Sequence, residues 1–106
     1  MNRIKQKLQE DKKILSIYFS AGYPNLDDTV KIIQDLEKSG VDLIEIGLPF
    51  SDPLADGPTI QRTQREALEG GVTLDWILEM LTEMDPRPAA PLLLMGYLNP
   101  FLALGL

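Results

Sequence analysis

The chain has 106 residues, is 44% hydrophobic and carries a formal net charge of −6, with no histidine and no cysteine. That length and apolar content suit one packed domain, while the acidic balance argues against a nucleic-acid footprint or a pull toward anionic lipid. Lacking both cysteine and histidine, it has neither a disulfide framework nor the usual ligands of structural zinc.

Residues Met1 to Lys13 are charged throughout, without the apolar core of a secretory signal, and no later apolar run approaches the roughly 20 residues a bilayer requires. The expectation is a cytoplasmic protein with no membrane partner. No linker, repeat or low-complexity tract divides residues 1–106, which read as one unit or a piece of one.

In chain order, Met1 to Glu10 places Ile4 and Leu8 four apart among polar residues, the pattern of a short amphipathic helix. Ile14 to Phe19 reads as a buried parallel strand, and Gly22-Tyr23-Pro24-Asn25 as a turn. Asn25 is placed to cap a helix that sets Leu26, Val30, Ile33 and Leu36 on one side and ends at Gly40. Val41 to Ile46 is a second strand, followed by a loop from Gly47 to Pro58 with three prolines and a helix from Thr59 to Glu69. Gly70-Gly71 stops that helix, and Thr73 caps another carrying Leu74, Ile77, Leu78, Leu81 and Met84 at helical spacing, with Trp76 as packing. After Asp85-Pro86-Arg87-Pro88, the run Pro91 to Met95 is a third strand that leaves through Tyr97-Leu98-Asn99-Pro100. Strands alternating with helices indicate βαβ crossovers and a parallel sheet.

Glu45 breaks the pattern. A period of two sets it on the face of Val41 and Leu43, where a carboxylate without partners is costly and its pKa rises, the poise of a general acid and base. Position alone leaves a second reading, a glutamate solvated at a strand end. Asp56, between prolines and beside Gly57, is either an ordinary turn residue or a functional carboxylate on a loop after a strand's carboxyl end. Asp52 shares the loop, but no phosphate ligand accompanies the pair, so no metal is expected. Tyr18, Met95 and Tyr97 lie at strand ends that could wall an aromatic substrate, although apolar strand residues are more often plain core and Met95 reads first as that.

The run Pro49-Phe50-Ser51-Asp52-Pro53-Leu54-Ala55-Asp56-Gly57-Pro58-Thr59-Ile60-Gln61 resembles the long signature of the tryptophan synthase alpha subunit family. Phe19 to Pro24 and Leu94 to Pro100 match further segments of that family in order and spacing. The resemblance implies an α/β fold, the (β/α)₈ TIM barrel, here only the first three βα units with an N-terminal helix. Three strands are under half of such a barrel, so residues 1–106 are expected to be the amino-terminal part of a single domain whose later strands lie outside this sequence. The apolar tail Ala103 to Leu106, with no charged cap, reads as an interruption.

The activity implied is retro-aldol cleavage of indole-3-glycerol phosphate to indole and glyceraldehyde 3-phosphate, without a cofactor in this subunit. By the same resemblance Glu45 is the acid and base and Asp56 the partner of the indole N–H, while Tyr18, Met95 and Tyr97 are substrate-binding. Pro49, Asp52, Pro53 and Asn99 belong to the contact with a beta subunit in an α₂β₂ tetramer. Barrels of this type hold phosphate on loops after the seventh and eighth strands, and Gly70-Gly71 lacks the spacing of a phosphate loop. The isolated 106 residues are therefore expected to have little activity. The alternative is a truncated, non-catalytic fragment that keeps part of the beta-subunit docking surface.

Overall fold

The computed structural model describes residues 2–10, 12–50, 55–103 and 105. Eight elements follow in order: α1 (Arg3–Leu8), β1 (Ser16–Ser20), α2 (Asp28–Lys38), β2 (Leu43–Gly47), α3 (Pro58–Glu69), α4 (Leu74–Glu83), β3 (Leu92–Met95) and α5 (Leu98–Ala103). The strands form one parallel sheet in the order β1-β2-β3, as expected for consecutive βα units. Ile17, Phe19, Ile44, Ile46, Leu92 and Leu94 share one face of the sheet by register, and Ile44 and Ile46 are fully buried there with Ile33 of α2, Ala67 of α3 and Ile77 of α4. The opposite face carries Tyr18, Glu45, Leu93 and Met95, all partly open to solvent.

Several boundaries differ from the sequence reading, each for a physical reason. β1 begins at Ser16 rather than Ile14, because the Asp42 carboxylate takes the Leu15 N–H at 3.0 Å and holds the approach outside the ladder. Asn25 does not cap α2. The helix starts at Asp28 with Asp27 as N-cap and no side-chain cap bond, while Asn25 Nδ2 donates to Asp28 Oδ2 at 3.2 Å. α3 starts one residue early because Pro58, with its fixed φ, suits the first helical turn. Thr73 does cap α4, its Oγ1 accepting the Trp76 N–H at 3.1 Å, and Trp76 packs partly against the core. α5 was not anticipated, because its short stretch of Leu, Asn and Pro carries no helical pattern strong enough to be seen alone.

Polar ties join the helices to the sheet. Thr29 of α2, fully buried, accepts the Gly22 N–H at 2.9 Å, and Ser20 at the end of β1 meets Thr63 of α3 at 2.8 Å. Gly22 has φ +82°, and a Cβ there would lie 2.8 Å from Val72 Cβ, so both its conformation and its surroundings demand glycine. Arg3 of α1 donates to the carbonyls of Pro88 and Ala89 just before β3, which docks the first helix at the amino end of the sheet. No helix among the described residues is long and apolar enough to cross a membrane.

Asp42 also accepts from Lys12 Nζ at 2.9 Å. The Leu15 N–H, then Lys12, hold its carboxyl below the ordinary carboxylate value. A depressed folded value means that its stabilisation is present above the unfolded pKa and lost as pH falls through the lowered one. Asp42→Asn is expected to speed hydrogen exchange at the Leu15 amide and to remove the acid-side loss of that protection. Unchanged exchange across that pH range would show that the carboxylate does not hold this segment.

Candidate active site at the carboxyl end of the sheet

The loop that leaves β2 returns at α3, and α3 dictates where Asp56 sits. Gln64 is on the buried side of that helix, only 3% exposed, between Ile60 and Ala67. Its Oε1 accepts the Phe50 N–H at 3.0 Å, and its Nε2 donates to Asp56 Oδ2 at 2.8 Å, so one side chain binds both limbs of the loop. One turn earlier, Gln61 Nε2 donates to the Asp56 carbonyl at 2.8 Å. Tyr97, two residues past β3, accepts the Ala55 N–H at 2.8 Å and donates to Asp56 Oδ2 at 3.1 Å. Its ring stacks on Phe50 with centroids 5.1 Å apart and planes inclined by 21°.

These groups enclose a cavity of about 280 Å³ lined by Tyr18, Leu48, Ala55, Asp56, Gln64, Met95, Gly96 and Tyr97. The size is just below the range of small-molecule sites, which begins at roughly 300 Å³, and the lining joins apolar walls to a few convergent polar groups. Tyr18, Asp56, Met95 and Tyr97, singled out from three separate stretches of sequence, thus meet at one place. A larger hollow of about 560 Å³ lies between α2 and α4, lined by Trp76, Met80 and the acidic Glu79, Glu83 and Asp85 among others, away from the loops that follow the strands.

Glu45 is on the cavity side of the sheet but does not line the cavity. It pairs with Tyr18 on β1 and Leu93 on β3, is half-buried, and its Oε2 accepts from Ser16 Oγ at 2.5 Å. Ser16 is opposite Leu43, two residues before Glu45, so the carboxylate leans toward the amino end of the sheet. Both carboxylates still act on Tyr18. Burial pushes its phenol above the ordinary value, a bond to Ser20 opposes this, and the negative charges of Asp56 and Glu45 raise it further. Tyr97 shifts the same way, through loss of hydration first and its bond to Asp56 next, against the Ala55 N–H.

Gly47 makes this crowding feasible. A Cβ on it would stand 2.0 Å from Tyr18 Oη and 2.5 Å from Cζ, so only glycine lets the phenol lie across β2. Gln64, Gln61 and Ser16 escaped the sequence reading. The signal for Gln64 was available, since it falls within the stripe of Ile60, Thr63 and Ala67 where a polar side chain needs a buried partner. Ser16 had none, because a strand-start serine is ordinary.

A family model described as "Tryptophan synthase alpha chain" matches residues 4–106. Proteins named tryptophan synthase alpha chain from Flavobacterium psychrophilum and Flavobacterium johnsoniae are 70% and 68% identical to it over 105 residues. The chain belongs to the tryptophan synthase alpha chain family. It spans about 42% of the length of these two relatives, which in turn match 99% of it. Tryptophan synthase subunit alpha from Legionella pneumophila superposes with a TM-score of 0.92 at 43% identity, covering 99% of this chain and 42% of that one. Tryptophan synthase from Mycobacterium tuberculosis in an aminoacrylate-bound form gives 0.86 at 33% identity, with 99% and 44% covered. The parallel sheet is therefore the first part of that barrel. Of the residues expected at a partner contact, Pro49 is half-buried just past β2 and Asn99 lies in α5, while Asp52 and Pro53 lie outside the described residues.

Two measurements probe the site directly. Near-ultraviolet absorbance titration is expected to show Tyr18 and Tyr97 ionising above ordinary tyrosine, with Asp56→Asn bringing both down; midpoints insensitive to that change would separate the phenols from the carboxylate. Gly47→Ala is expected to cost about 1–3 kcal/mol in denaturant unfolding, the range for overfilling a packed site, and a stability equal to the parent would contradict the Tyr18 contact.

Proposed function

We propose that these residues form the chemical half of an indole-3-glycerol phosphate lyase site, within an alpha chain of tryptophan synthase. The supporting observation is the Asp56 carboxylate, anchored through Oδ2 at the edge of a cavity walled by Tyr18, Leu48, Met95 and Tyr97. A flat bicyclic ring fits between such walls. Asp56 accepts from its N–H and stabilises the positive charge that develops when the ring is protonated.

The reaction needs a proton delivered to the ring carbon that bears the glycerol side chain and a proton removed from the adjacent side-chain hydroxyl. The carbon–carbon bond then breaks, returning its electron pair to the indole and leaving an aldehyde on the three-carbon phosphate. Atoms balance without water or an oxidant. Glu45 performs both transfers in this proposal, turning from Ser16 toward the cavity when substrate fills it. Tyr18, paired with Glu45 across the strands and sensing both carboxylates, forms the floor.

The phosphate is held on loops after the seventh and eighth strands, outside these 106 residues, so remote binding energy is missing from this segment. These 106 residues alone are accordingly proposed to show little turnover, and the active form to be a complete cytoplasmic subunit in an α₂β₂ tetramer. Residues Pro49, Asp52, Pro53 and Asn99 belong to the beta-subunit contact. A docking role without chemistry is the second reading, favoured by the position of Glu45 off the cavity.

The test is a chimera in which these 106 residues replace the matching portion of the Flavobacterium psychrophilum chain. Steady indole release is expected from the chimera, with Glu45→Gln and Asp56→Asn each lowering kcat by about 10²- to 10⁴-fold, the span of acid–base and electrostatic contributions. Parent-like turnover by Glu45→Gln would remove it from the chemistry. Saturable beta-subunit binding without indole release would support the docking reading.

A further inference from the structure

We infer that Gln64 is a positioning residue whose amide, held in one orientation by the Phe50 N–H, aims Asp56 at the substrate; this rests on the lyase reading above. The direction of every bond in the network is determined by backbone groups that can only donate. The Phe50 N–H occupies Gln64 Oε1, so the other end of the amide must be the nitrogen, and it donates to Asp56 Oδ2. The Ala55 N–H likewise occupies a lone pair of Tyr97 Oη, leaving the phenolic hydrogen for the same Oδ2.

Two donors with no freedom to reverse converge on one oxygen. Oδ2 is thereby an acceptor, and by this inference Oδ1 is the oxygen that meets a ligand donor in the cavity. Gln64 touches no reacting atom in this arrangement, yet it sets the plane of the group that does. Burial strengthens the effect, since Gln64 is shielded from water that would otherwise exchange with these bonds. A role limited to holding the loop would act through both bonds and would move stability and KM along with kcat. The positioning role needs the donor toward Asp56 in particular.

Gln64→Glu separates the two. Glutamate keeps the length and the acceptor for Phe50, but turns an oxygen toward Asp56 Oδ2 where a nitrogen stood. In the complete subunit, kcat is expected to fall about 10- to 100-fold at neutral pH, the scale of a misplaced reacting group, with KM changing far less. Activity should recover toward the parent as pH drops and one of the two facing carboxyls gains a proton that restores a donor. Gln64→Met, which cannot donate at any pH, should lose rate without that recovery, and it keeps the inference testable should the glutamate variant not fold. Full activity of either variant at neutral pH would overturn the inference, as would equal, pH-independent losses in both. Absence of indole release from the unsubstituted subunit would instead overturn the lyase reading, and this inference with it.

Discussion

The burial of Ile44 and Ile46 on one face of β2 governs most of what else the molecule does. Both side chains are fully enclosed by the helices, and burial of each contributes on the order of 1.5–3 kcal/mol. A strand alternates, so satisfying these two isoleucines sends Glu45 and Gly47 to the other side. The parallel register then sets Tyr18 beside Glu45, and Met95 beside Gly47, with no further instruction. The site inherits its geometry from the core: any slip of one residue would bury the glutamate among the helices and expose the isoleucines.

From that constraint the loop after β2 must begin on the cavity side and finish at α3. The helix is joined to β1 by the Ser20–Thr63 bond and to the loop by Gln61 and Gln64, so it acts as a rigid post rather than a covering layer alone. Asp56 is thereby held by elements that are packed independently of any ligand. Preorganisation of this kind is what an electrostatic contribution to catalysis requires, because the dipoles need not rearrange as charge develops. Glu45 differs. Its carboxylate bonds instead to Ser16 on the neighbouring strand, an exchangeable contact that suits the proton transfers proposed for it.

The two tyrosines show how one side chain can serve fold and site together. Tyr18 fills the space above Gly47 and its hydroxyl senses both carboxylates. Tyr97 stacks on Phe50 while its hydroxyl joins Ala55 to Asp56. Aromatic bodies bury apolar area and leave a polar tip for the cavity, so the wall of the site and the brace of its loop are the same atoms.

Local chemistry was enough to read the order of strands and long helices, the Thr73 cap, the anomalous face of Glu45 and the importance of the Pro49 to Gln61 stretch, because periodicity and turn preferences act over a few residues. Four of the cavity's lining residues were named on that basis together with the family signature. Asn25 bonds locally to Asp28 and the short α5 has no strong helical pattern, whereas the start of β1 depended on a neighbour distant in the chain, Asp42 reaching Leu15. The same holds for Gln64 between Phe50 and Asp56, and for the lean of Glu45 toward Ser16. A hydrogen bond between side chains from different elements leaves no periodic trace in sequence; only the packing of α3 and β1 against β2 brings those atoms within reach.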